Sequence, residues 1–297
     1  MHLFTSRPAL RMRGGGSGRG SLTAGQNVVS GVHFNVYLKE ALDDTDPILL
    51  ELADAQGNVV TTYSSKPDKK LKQRNLSLEK GMNKVSWDMR LAGADSFEDL
   101  VLWGGGLQGP QVVPGAFTAT LTHGELSESV GFEVRKDPRA AATVEDLQAQ
   151  FEFLVGVRDK LSETHNLISQ LREVKSQIET LSKRLKGDQY KAIREQGEQI
   201  NERLTKIEKK LYQTQNQSSQ DPLNFPIRLN NRLSSLVGVV SMGDNAPTKQ
   251  AIEVRDLLLA QIEQLLTELK AILSKDVQAF NQKVSEANIP AIFVDDE

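Results

Sequence analysis

Three carboxylates lie close together in the sequence, at Asp95, Glu98 and Asp99. Two carboxylates about 5–10 Å apart across a sugar ring can catalyse glycoside hydrolysis as an acid–base or acid–nucleophile pair. Acidic residues are also common in exposed turns, and that interpretation fits a cluster placed between strands. We therefore expect these side chains to contact a ligand or another domain, and we predict no catalytic residue.

A second acidic cluster, at Asp43, Asp44 and Asp46, raises the alternative of a calcium site. It lacks the glycine and the distal glutamate that calcium-binding loops supply. The four histidines are far apart in sequence and show no metal-ligand spacing. The sequence therefore predicts neither a metal nor a cofactor.

His165 lies between Leu161 and Ile168 on the apolar stripe of a predicted helix. A single histidine at such a place is typical of a core or boundary residue with a hydrogen-bond partner. A metal ligand or a pH switch is the alternative.

Both tryptophans belong to the first half of the chain. Trp87 alternates with Val85 and Met89, which predicts that it points into a core. Trp103 precedes three glycines in a loop and is the better candidate for contact with a glycan or another domain.

Composition excludes several classes of chemistry. The chain has 297 residues and no cysteine, which removes thiolate catalysis and thiolate metal sites. No Gly-x-Ser-x-Gly motif is present for nucleophilic catalysis. The formal net charge of -3 predicts no nucleic-acid partner. No apolar run approaches the roughly 18–20 residues of a membrane span.

Residues 27–137 show a β pattern. Apolar residues alternate with polar ones over 32–38, and further strands are predicted near 48–52, 59–63, 83–90, 116–121 and 129–134. Short strands at this spacing predict an immunoglobulin-like antiparallel β-sandwich.

Residues 143–288 change to a helical period. Thr143 and Asp146 resemble a capping box at the start of the first helix. Long first and last helices of about 40 residues each, with a middle arm broken near 222–226, predict a long antiparallel three- or four-helix bundle. A homodimeric coiled coil is the competing interpretation.

The two ends of the chain are predicted to differ from these domains. Residues 1–26 contain a Gly-rich run at 14–20, typical of a flexible linker or the end of a missing upstream domain. Residues 289–297 are predicted to be a C-terminal tail.

An ordered set of motifs gives the chain a family resemblance. The motifs lie at 2–4 with 7–8, 25–27, 37–40, 54–57, 81–83, 87–90, 114–117, 136–139, 221–226 and 229–231. Together they resemble the C-terminal region of bacterial exported proteins with BNR (sialidase-type, sortilin-like) repeats, often described as glycosyl hydrolases. The β half is also similar to the immunoglobulin-like domain of flagellar hook-capping proteins.

The resemblance implies a non-catalytic structural or interaction module that accompanies an upstream β-propeller, in an extracytoplasmic location. The partner would be that propeller or another protein, and the helices could also form a homo-oligomer. One alternative is an accessory part of a glycosyl hydrolase whose active site lies on the propeller. A second is a carbohydrate-binding module that uses Trp103.

Overall fold

A computed structural model of the chain describes residues 1–12, 30–41 and 46–289. The chain forms two compact units. The first comprises residues 1–93, 108–155 and 243–247, and the second comprises 94–107, 156–242 and 248–297. The chain therefore has a β region and a helical region, as the sequence predicts.

The first unit contains two β-sheets. The strands of the described residues are β1 (His2–Leu3), β2 (Ala9–Arg11), β3 (Val32–Leu38), β4 (Leu49–Asp54), β5 (Val59–Ser64), β6 (Arg74–Asn75), β7 (Gly81–Trp87), β8 (Gly115–His123) and β9 (Leu126–Lys136). One sheet has the order β1-β3-β7, and the other has the order β2-β9-β8-β4-β5-β6. Pairing is antiparallel except between β2 and β9 and between β5 and β6.

Residues of both sheets share one hydrophobic core. Phe34 and Trp87 come from the three-stranded sheet, whereas Phe117 and Phe132 come from the six-stranded sheet. Their rings pack edge-on or stacked, with centroids 5.1–6.0 Å apart. Trp87 is fully buried and its indole N–H bonds to the Arg90 carbonyl at 3.0 Å, which confirms the predicted core position.

The N-terminal segment adds strands to both sheets. β1 pairs with β3, and β2 pairs with β9. Arg11 of β2 is buried and donates a hydrogen bond to Gln150 at 2.8 Å in the same unit. Residues 2–3 and 9–11, which fall in the segment predicted as a flexible linker or the end of an upstream domain, are thus strands of these sheets. The Gly-rich run, most of the Asp43–Asp46 cluster and the tail from residue 290 lie outside the described residues.

The helices follow the predicted order. They are α1 (Val144–Arg184), α2 (Lys191–Leu211), α3 (Leu229–Val240), α4 (Lys249–Ala271) and α5 (Val277–Glu286). A π-helical turn, Ile272–Asp276, joins α4 to α5 without a break. No helix of the described residues combines the length and the apolar character that crossing a membrane requires.

The predicted capping box of α1 is confirmed. The Asp146 carboxylate accepts from the Thr143 N–H at 2.8 Å, and the Thr143 hydroxyl accepts from the Asp146 N–H at 3.1 Å. Two donors that the first helical turn leaves free are therefore bonded reciprocally.

Side-chain pairs within the second unit define the helix directions. Asn201 and Glu208 of α2 bond to Lys175 and Arg172 of α1, so residue numbers rise on one helix as they fall on the other. α1 and α2 are therefore antiparallel. By contrast, Glu163 of α1 bonds to Lys270 of α4, and Lys160 bonds to Glu263, which gives α1 and α4 the same direction.

Gly197 allows α2 to approach its neighbours closely. A Cβ atom there would lie 2.8 Å from Ile178 Cγ2 and 3.3 Å from the Phe280 ring. Neither neighbour is the end of a long flexible chain, so a side chain would force the helices apart.

We expect Gly197→Val to lower the free energy of unfolding of the helical unit by about 2 kcal/mol, because overpacking a tight seam strains it. Gly238→Val in α3 is the matched control, since a Cβ there meets nothing within 4 Å. The control should change stability by less than about 0.5 kcal/mol. Urea unfolding followed by far-UV circular dichroism measures both, and equal effects would contradict the seam assignment.

Candidate functional site

All four predicted contact residues lie in one segment, residues 94–107, which we call the acidic loop. The Ala94 N–H bonds to the Leu107 carbonyl at 2.8 Å, so the two ends of the loop are close together. A compact loop with adjoining ends is an Ω-loop. The acidic loop clusters with the helices in the second unit, although the sequence placed it within the β domain at 27–137.

Asp95 is bonded to α1 at three points. Its N–H donates to the Ser162 hydroxyl at 3.0 Å, and its carbonyl accepts from His165 Nδ1 at 2.6 Å. Its carboxylate accepts from the Asn166 amide at 2.9 Å. Asp95 is therefore held by backbone and side chain in a structural arrangement.

The hydrogen bonds of His165 determine its tautomer. Nδ1 faces a carbonyl, which can only accept, so Nδ1 carries the proton. Nε2 then accepts from the Asn230 amide at 3.3 Å. Burial lowers the pKa of His165 below its ordinary value of 6.5, with partial opposition from the bonded Asp95 carbonyl. The ring is fully buried and neutral, which confirms the predicted core histidine with a partner.

Phe97 places an aromatic ring between elements of the helical unit. Its ring lies edge-on to His165, with centroids 5.3 Å apart, and edge-on to Tyr212 at 5.0 Å. Such edge-to-face pairs stabilise beyond the apolar area that they bury.

A cation covers this aromatic pair. The Arg172 guanidinium lies 4.6 Å from the Phe97 centroid and 5.4 Å from the Tyr212 centroid. Buried Glu208 accepts from Arg172 at 2.7 Å and from Lys175 at 3.2 Å. Two cations thus neutralise the buried carboxylate, and the arginine plane is fixed against the rings.

Asp99 contributes its backbone to the same contact. Its carbonyl accepts from the Tyr212 hydroxyl at 3.0 Å, and that hydroxyl accepts from the Val101 N–H at 3.2 Å. Asp99 has φ of 60°, in the left-handed region that aspartate tolerates better than most residues. The side chains of Glu98 and Asp99 are exposed. The structure therefore bonds Asp95 to α1 and leaves the other two carboxylates on the surface.

Asn231 of α3 fixes the backbone of Trp103. Its amide oxygen accepts from the Trp103 N–H at 2.7 Å, and its amide nitrogen donates to the Trp103 carbonyl at 2.9 Å. The Trp103 residue remains 40% exposed. Nearby, Gly105 approaches α3 so closely that a Cβ would lie 2.0 Å from the Ser234 hydroxyl. The loop thus holds Trp103 in a rigid, accessible position.

The residues that organise this site were not the ones that the sequence singled out. Phe97, Arg172, Tyr212 and Asn231 make the decisive contacts, and only Asn231 carried a readable signal. Asn230 and Asn231 are adjacent amides in the first turn of α3, directly after Leu229 and close to Leu233, a pattern that indicates buried hydrogen bonding.

The other predicted sites are simpler to place. Asp46 is exposed, and Asp43 and Asp44 lie outside the described residues. Within the described ranges, no group of three histidine or carboxylate side chains is arranged to hold a metal ion.

Comparisons of the chain with protein-family models, with curated proteins and with solved structures found no match.

We predict that the helical unit loses stability as the pH falls below about 6.5. The unfolded chain protonates His165 near 6.5, whereas the folded chain does so only at lower pH. The contribution of His165 to the free energy of unfolding is therefore fully present above about pH 6.5. Below that pH it falls by up to about 1.4 kcal/mol per pH unit. Urea unfolding between about pH 7.5 and about pH 5.5 measures the slope.

The matched variants are His165→Gln and His33→Gln. His165→Gln removes the titrating group, so its stability should depend less on pH than that of the wild type over this range. His33→Gln, in the first unit, should retain the wild-type slope for the helical transition. An unchanged slope in His165→Gln would contradict the assignment.

Asn231→Ala should destabilise the helical unit by about 2 kcal/mol, because two backbone groups of Trp103 lose their partners together. Limited proteolysis should then cut within the acidic loop. Asn224→Ala is the control, since Asn224 is exposed and should contribute less than about 0.5 kcal/mol. Equal stability and equal protease resistance of the two variants would exclude a clamping role for Asn231.

Proposed function

We propose that this chain is a non-catalytic structural and interaction module, the C-terminal part of a BNR-repeat (sortilin-like) propeller protein. The observation that carries the proposal is the hydrogen bonding of the acidic loop backbone. Asp95, Asp99 and Trp103 bond through their backbones to His165, Tyr212 and Asn231. A loop whose backbone groups are held by side chains outside the loop is suited to stable presentation of a surface.

We also propose that the β region is an immunoglobulin-like sandwich. The core that both sheets share and the period-2 alternation of β3 support this interpretation. The parallel pairing of β2 with β9 and of β5 with β6 is an addition to the purely antiparallel pattern expected from the sequence.

The outer face of the three-stranded sheet supports an interaction role. Tyr37 lies directly opposite Met82 on β7 and opposite His2 on β1. Tyr37, Met82 and nearby Phe4 are all exposed. Neighbouring exposed apolar side chains are typical of a surface that contacts another protein, and in this proposal that protein is an upstream propeller in an extracytoplasmic setting.

The experiment for this proposal is a hydrolysis assay with sialyl, glucosyl and aryl glycosides. We expect no turnover by the wild type. Turnover that disappears in Asp95→Asn, Glu98→Gln or Asp99→Asn, but not in Asp46→Asn, would overturn the proposal. If activity arises only when a propeller domain is supplied, the chain is instead an accessory part of a glycosyl hydrolase.

A carbohydrate-binding module is the second candidate function, and the exposed Trp103 favours it. An indole on a fixed backbone can stack on a sugar ring with little loss of conformational entropy. A glycan array should then show binding that Trp103→Ala abolishes and Phe4→Ala retains. Equal signals for the wild type and Trp103→Ala, or no signal, would remove this candidate.

A further inference from the structure

A pocket of about 330 Å³ lies within the helical unit, away from the acidic loop residues. Lys210 and Arg232 line it together with Arg228, the residue that precedes α3. α4 contributes Gln261, Gln264 and Glu268, which recur at the three- and four-residue spacing of one helix face. The polar lining of the pocket therefore consists of three cations, two amides and one carboxylate.

The three cations share the pocket with a single carboxylate, Glu268. Among the described residues, the side chains of Lys210, Arg228 and Arg232 form neither a hydrogen bond nor an ion pair. The Arg228 Nε atom is buried, and no described residue forms a hydrogen bond with it. Positive charges that outnumber the nearby carboxylate repel one another, and a buried unpaired donor is costly.

The start of α3 adds to this positive field. Arg228 is in an extended conformation and its side chain does not cap α3. The Asn230 side chain accepts from the Asn231 N–H at 2.7 Å, which leaves the N–H groups of Leu229 and Asn230 at the start of the helix. The first N–H groups of a helix carry partial positive charge and bind anions. This arrangement of backbone and side chains favours a bound anion in the pocket.

We propose that this pocket binds the phosphate group of a small phosphorylated molecule. Three cations against one carboxylate, Glu268, leave a balance of two positive charges. A phosphate monoester carries about −1.5 to −2 at pH 7, which neutralises that balance, whereas a monocarboxylate does not. Guanidinium groups also match phosphate oxygens in geometry.

The volume and the apolar lining limit the rest of the ligand. About 330 Å³ lies at the lower end of the range for small-molecule pockets, which favours a compact ligand over a polymer. Leu229 and Leu265 also line the pocket and can cover a short carbon skeleton.

The test is calorimetric titration of the full chain with glycerol phosphate, inorganic phosphate and acetate. We expect saturable binding of the two phosphates and much weaker binding of acetate. Tighter binding of glycerol phosphate than of inorganic phosphate assigns an ester as the ligand, and equal binding assigns free phosphate. Absence of saturable phosphate binding, or acetate binding as tight as phosphate, would overturn the proposal.

Substitutions locate the site. Arg228→Gln and Arg232→Gln should each weaken phosphate binding about tenfold, because each removes a charge-assisted hydrogen bond. Glu268→Gln should strengthen binding several-fold by removing a repulsive charge. Lys283→Gln on α5 removes the same charge from an exposed residue elsewhere in the unit and should leave binding unchanged.

Since Arg228 and Arg232 have no folded side-chain partners, thermal melts of their variants should match the wild type in the absence of phosphate. Weakening by Lys283→Gln equal to that of the arginine variants would show nonspecific charge attraction and reject the site. Retention of full phosphate affinity in both arginine variants would also reject the site.

Discussion

Backbone hydrogen bonding of an irregular segment is the constraint on which the helical unit depends. A loop packed against other elements removes water from its N–H and carbonyl groups, and each unpaired group is costly. The acidic loop has no strand partner of its own. Side chains of the helices take that place, most clearly at Asn231, whose amide bonds to both backbone groups of Trp103.

This constraint explains why polar residues interrupt the apolar stripes of the helices. Ser162 and His165 occupy α1, Tyr212 follows α2, and Asn231 occupies α3. Each bonds to a backbone group of the acidic loop. The loop thus contacts three consecutive elements of one unit, and its removal would leave several buried polar groups without partners. Such an arrangement favours rigidity, which suits a module whose role is contact.

The spacing of apolar residues and the helix-capping signal made much of the fold predictable from the sequence. Alternation located β3, and the Thr143–Asp146 pair located the start of α1, because both signals are local. β1 and β2 were not predicted, since strands of two or three residues are too short to show alternation.

The candidate site was harder to predict than the fold. Asp95, Asp99 and Trp103 were identified from their side chains, yet their backbones make most of the contacts. Contacts between a loop and helices distant in sequence depend on tertiary packing, which no local pattern records.

Hydrogen exchange of the acidic loop amides, followed by NMR, tests this account most directly. The N–H groups of Asp95 and Trp103 donate to side chains of α1 and α3, and that of Val101 donates to Tyr212, directly after α2. Glu98 and Asp99 lie on the exposed part of the loop. The account predicts that the first three amides are protected nearly as strongly as the core of α1, while the amides of the other two exchange quickly. Rapid exchange of all five would show that the loop opens independently of the helices and would contradict the account.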